Sequence, residues 1–125
     1  MGLAKQFAHV SFTVTDLQAT LRFYVDLLGG KLMSLAEEGD DTLGSRLMGR
    51  QACQQEARLK IALVDLCGVS VEFIQYLDPP VKPYHGNPSV AGSGHLALYV
   101  EDIHAVAVSY THLGCFPILE SRSAY

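Results

Sequence analysis

Three residues of this 125-residue chain have types that could do chemistry together: His9, Glu72 and His95. Each is a polar side chain in a short run whose neighbours alternate between an apolar and a mixed face. In FAHVSFTV (7–14), Ala8, Val10, Phe12 and Val14 share one face, and Phe7, His9, Ser11 and Thr13 share the other. In the run 69–76, Ser70, Glu72, Ile74 and Tyr76 oppose Val69, Val71 and Phe73. In HLALYV (95–100), His95, Ala97 and Tyr99 oppose Leu96, Leu98 and Val100. Two imidazoles and a carboxylate suit a divalent cation (Zn, Ni, Fe, Mn or Co), with positions left over for water or substrate. Spacing alone leaves a second reading open, in which the histidines are hydrogen-bonded core residues and the glutamate is a solvent-facing strand residue.

The elements that must position these residues follow from the same patterning. Asp16 is an N-cap, and apolar residues at Leu17, Leu21, Tyr24, Val25 and Leu28 give helical spacing over 17–28, with Gly29-Gly30 as the stop. A short strand follows over 31–36. The pattern fades over 37–57, where an acidic loop precedes a short helix at 42–48. Runs 58–65 and 69–76 read as strands joined at Leu66-Cys67-Gly68, which predicts a hairpin. Asp78-Pro79-Pro80 ends the second strand, and the Pro/Gly-rich stretch 79–93 reads as a linker. Beyond it come the strand 95–100, a helix from Ile103 to Leu113 capped by Glu101-Asp102 and stopped by Gly114, and a strand over 116–119.

The two halves begin alike. HVSFTVTDLQA (9–19) aligns with HLALYVEDIHA (95–105) at a constant offset of 86 (95 − 9 = 102 − 16 = 86), and Tyr24 matches Tyr110 at that same offset. A repeated strand, capped helix and glycine stop implies two copies of one βαβ-type module. The repeat puts a histidine at the same place in each copy.

Composition narrows the function classes. Hydrophobic residues make up 49% and charged residues 18%, enough for a folded core. The formal charge is −4 with scattered Lys and Arg, which argues against a nucleic-acid partner. No apolar run is long enough for a membrane helix, no basic amphipathic helix suggests a membrane surface, and the N-terminus has no signal-peptide pattern. The cysteines, Cys53, Cys67 and Cys115, are odd in number and lack CxxC spacing, which fits free thiols in a reducing cytoplasm.

The strings HVSFTVTDLQATLRFYVDLLGG, VSVEFIQY and GSGHLALYVEDI resemble the glyoxalase/bleomycin-resistance/extradiol-dioxygenase superfamily, also called the vicinal oxygen chelate fold. The resemblance covers most of the chain apart from 37–57. It implies an α+β fold in which paired βαβββ modules form a cupped mixed sheet with helices outside. Residues 1–125 would form one glyoxalase-like domain, with module one at about 5–78, the linker at about 79–93 and a partial module two at about 94–125. In metal-dependent members the ligand positions match His9, Glu72 and His95. The family's fourth ligand, a late glutamate, has no counterpart: Glu120 lies 25 residues after His95, whereas Glu72 lies 63 after His9. The second module is therefore expected to be incomplete: the chain is truncated, is part of a longer one, or completes its sheet and site by association, and the fourth ligand comes from water, from another subunit or from nothing.

The function implied is that of a divalent-metal-dependent, glyoxalase-like lyase or isomerase acting on a small carbonyl- or hydroxy-bearing substrate, with Glu72 as ligand or catalytic base. An extradiol-type dioxygenase and a metal-free small-molecule or antibiotic-binding protein are the alternatives on the same fold. A homodimer is expected. Ser11, Thr13, Tyr76 and Tyr99 share faces with the three central residues and are candidate pocket residues, although strand packing explains each equally well. His85 is a candidate rim residue in the inter-module loop, with an exposed loop histidine as the simpler reading.

Overall fold

The computed structural model describes residues 2–36, 58–78, 80, 89, 91 and 94–112, without the side chains of 109–112. The chain divides into two compact units, Met1–Lys82 and Pro83–Tyr125.

In the first unit, β1 (Val10–Thr13) leads through Asp16 into α1 (Leu17–Leu21), which continues as a π-helical turn (Arg22–Leu27). Then come β2 (Lys31–Ala36), β3 (Arg58–Leu66) and β4 (Val69–Asp78). The strands form one four-stranded sheet in the order β1-β4-β3-β2. β1 runs parallel to β4, and the other pairs are antiparallel. This is a βαβββ module with a mixed sheet, the expected α+β architecture.

Alternation sorts the sheet into two faces. The register pairs Phe12 with Phe73, Ala62 with Phe73 and Val64 with Val71, so these side chains share one face. That face carries the helix. Tyr24 lies 4.6 Å from Phe73 between ring centroids, and Phe12 stacks on Phe73 at 6.5 Å. Leu17, Phe23, Ala62, Val64, Leu66, Val71 and Phe73 are buried. Each large apolar side chain sequestered here contributes about 1.5–3 kcal/mol.

The helix entry is fixed twice. The Ala19 N–H donates to Asp16 Oδ1 at 2.9 Å, the expected cap, and the Leu17 N–H donates to Gln75 Oε1 of β4 at 2.8 Å. Gln75 therefore ties the start of α1 to the sheet by satisfying an N–H that the helix itself leaves open. The helical spacing over 17–28 predicts one α-helix, but its second half is a π turn. There the Leu28 N–H reaches the Phe23 carbonyl at 3.0 Å. More residues per turn narrow the angle between consecutive side chains, so Phe23 is buried while Tyr24 packs against Phe73. Gly29, at φ +76°, ends the element. Gly30 enters β2 where a Cβ would fall 2.6 Å from the Tyr24 carbonyl oxygen and 2.9 Å from Val64 Cγ1, a space only glycine fits.

The predicted hairpin forms. Cys67 and Gly68 both have positive φ (54° and 86°) and make its two-residue turn, and the Gly68 N–H donates to Asp65 Oδ1 at 3.0 Å.

In the second unit, α2 (Ile103–His112) forms behind Asp102, whose Oδ1 accepts from the N–H groups of His104 (2.9 Å) and Ala105 (3.0 Å). The strand expected over 95–100 does not appear as one: residues 94–100 join no ladder among the described residues. Alternation gives a segment two faces, but a strand also needs a neighbour to accept its N–H and C=O groups. The short helix expected at 42–48, the strand at 116–119, the Gly114 stop, His85 and Glu120 lie outside the described residues.

Candidate functional site

The sheet face away from α1 carries the polar candidates of the first unit. In the parallel ladder Ser11 is the register partner of Glu72, and Thr13 that of Ile74. Across the antiparallel ladder Leu63 pairs with Glu72, and Leu59 with Tyr76. Pairing puts each partner on the same face. Ser11, Thr13, Glu72 and Tyr76 therefore line up over edge strand β1 and its neighbour β4, with Leu59 and Leu63 beside them on β3.

His9, one residue before β1, reaches Glu72: its Nε2 stands 3.7 Å from Glu72 Oε1. That is too long for a hydrogen bond and close enough for electrostatic interaction. The Ser11 hydroxyl donates to the same oxygen at 2.9 Å. Among the described residues both of these contacts fall on Oε1. The Glu72 side chain retains 17% of its exposure and His9 retains 44%, so the acid is sheltered and the imidazole is open to solvent.

The structure therefore brings together His9, Ser11 and Glu72. His95 belongs to the other unit and is exposed there, as is Tyr99 at 96%. Among the described residues no three of His, Cys, Asp and Glu gather into a group that could hold a metal. The donor pair itself has suitable chemistry. Two ligands at about 2.0–2.2 Å from one tetrahedral ion stand roughly 3.4 Å apart, close to the 3.7 Å between Nε2 and Oε1. His9 and Glu72 fit one side of a divalent site.

A match to the model of the glyoxalase/bleomycin resistance protein/dioxygenase superfamily runs over residues 6–120. The chain belongs to this superfamily. It is also similar to a 2-epi-5-epi-valiolone epimerase from Actinomyces sp., at 28% identity over 100 residues, which is 79% of this chain and 54% of that enzyme. The chain thus spans about half the length of this relative. A crystal structure of a glyoxalase family protein from Bacillus cereus superposes with a TM-score of 0.65 at 23% identity, covering 98% of this chain and 84% of that one, a likeness of fold.

Two features of this face are harder to see in the sequence. Ser11 is visible by alternation as a face-sharing residue, but its bond to Glu72 depends on the parallel register, which no local pattern encodes. Leu59 and Leu63 border the same face, and the alternation of β3 (Leu59, Ile61, Leu63 against Ala62, Val64, Leu66) is the signal that finds them.

Proposed function

We propose that the chain is an isomerase of the glyoxalase superfamily that moves a proton at the carbon next to a carbonyl of a small hydroxylated substrate. The observation that carries this reading is the His9–Glu72 pair on the sheet face away from the helix, 3.7 Å apart, with the carboxylate sheltered and hydrogen-bonded. The likeness to an epimerase favours proton transfer over ring-cleaving oxygenation or simple sequestration.

In this reading His9 and Glu72 would hold a divalent cation as two of its donors. A cation so held would supply Lewis-acid polarisation of the substrate oxygens. Glu72 is the proton-moving group: with Oε1 turned to Ser11 and His9, Oε2 is the oxygen that takes the proton. Leu59 and Leu63 offer an apolar border that limits water around the carboxylate, and Thr13 and Tyr76 offer hydroxyls to a polyhydroxylated ligand. The same reading keeps a cytoplasmic homodimer.

The test is deuterium wash-in from D2O, followed by proton NMR, on a panel of α-hydroxy ketones that includes cyclic polyols. Wild type exchanges the proton next to the carbonyl, and Glu72→Gln slows that exchange by about 10²–10⁴-fold. Exchange that survives Glu72→Gln at the wild-type rate removes Glu72 as the base.

A further inference from the structure

We propose that Ser11 is a positioning residue that turns the Glu72 carboxylate toward His9. The inference rests on the reading of His9 and Glu72 as a donor pair. A glutamate carboxylate sits at the end of three rotatable bonds, and the strand backbone fixes only the first atom of that chain. What holds the rest must come from its cross-strand neighbours. On the β3 side the register partner of Glu72 is Leu63, which has no donor to offer. On the β1 side it is Ser11, whose hydroxyl donates to Oε1 at 2.9 Å. Among the described residues the side-chain hydroxyl paired with Glu72 thus lies on the strand that His9 precedes, and it binds the oxygen that His9 faces at 3.7 Å. The short serine side chain holds Oε1 on the β1 side. Outer partners of metal-holding carboxylates characteristically act in this way, orienting the ligand without touching the ion.

The experiment compares Ser11→Ala, Ser11→Val and Ser11→Thr in the full chain, using Co²⁺ alone as the probe. Valine and threonine have nearly the same shape and both suit a strand, so the pair isolates the hydroxyl from packing. Two readouts are taken. The first is the infrared carboxylate stretch of the metal-free protein, assigned to Glu72 by its disappearance in Glu72→Gln. The second is Co²⁺ affinity by visible absorption titration. The expected result is that the alanine and valine variants shift the carboxylate band and weaken Co²⁺ binding by about 10–100-fold, and that threonine restores both. A shifted band with unchanged Co²⁺ affinity in the alanine and valine variants overturns the positioning role while the donor pair stands. An unshifted band overturns it as well. Wild-type protein that takes up no Co²⁺ removes the donor-pair reading, and this inference with it.

Discussion

The two copies of the repeat, 9–19 and 95–105, behave alike at their helix starts and differently at their strands. Asp16 accepts from the Ala19 N–H at 2.9 Å, and Asp102 accepts from the Ala105 N–H at 3.0 Å, the equivalent residue at the offset of 86. The first backbone bonds also correspond: Thr20 N–H to Asp16 O at 3.1 Å and Val106 N–H to Asp102 O at 3.2 Å. The preceding segments diverge. Val10–Thr13 lies in a ladder with β4, while residues 94–100 lie in none among the described residues, with Tyr99 and Leu98 exposed. A cap is decided within four residues, so the same sequence makes it twice. A strand is decided by a neighbour far along the chain, so the same alternation yields a ladder only where that neighbour is supplied.

The sharpest way to break this contrast is to truncate one aromatic in each unit, one buried and one exposed. Phe73→Ala, under the ladder of the first unit, is expected to cost about 3–5 kcal/mol in urea unfolding. Tyr99→Ala, which exposes nothing new, stays within about 0.5 kcal/mol. A similar loss at both sites would mean that the second copy is packed as firmly as the first. Gly30→Ala comes next. Its Cβ has no room beside the Tyr24 carbonyl, so a loss larger than about 1 kcal/mol is expected from the midpoint of chemical denaturation. The caps test the shared part of the repeat. Asp16→Ala should lower stability by about 1 kcal/mol, and Asp102→Ala should speed amide exchange in the first turn of α2 roughly fivefold, the local equivalent of the same cap. A cap effect confined to one copy would show that the matched hydrogen bonds differ in strength. The smallest effect is a gain: Cys67→Asn relieves a non-glycine residue at φ +54° in the hairpin turn and should raise stability by about 0.5 kcal/mol, read as an increase in Tm.

Legibility followed the same division between local and distant causes. The Asp16 and Asp102 caps, the Gly29-Gly30 stop and the Cys67-Gly68 hairpin were readable because each depends on residues within a few positions. The strands and the helix of the first unit were readable because alternation and helical spacing switch cleanly over 7–36 and again over 58–76, while their grouping as a βαβββ module was implied by the resemblance to the superfamily. The π turn at Arg22–Leu27 was not, since the 3.6-residue spacing of its apolar residues does not reveal how two adjacent aromatics share the sheet. Gln75 has nothing local to mark it within the run 69–76, and its contact with the Leu17 N–H places it at the start of the helix. At the site, alternation put His9 and Glu72 on mixed faces, and only the parallel register Ser11–Glu72 showed that these faces are one. Membership of the superfamily is carried by the match over 6–120.

The central claim of the proposal is that His9 and Glu72 act as a donor pair for one divalent cation. The direct measurement is a Co²⁺ titration of the wild-type chain, His9→Ala and Glu72→Gln, followed by visible absorption, with circular dichroism on each variant to verify folding. The expected result is that both substitutions weaken binding, by more than the roughly 10–100-fold that an outer partner commands. A His9→Ala chain that stays folded and binds Co²⁺ as tightly as wild type would contradict it.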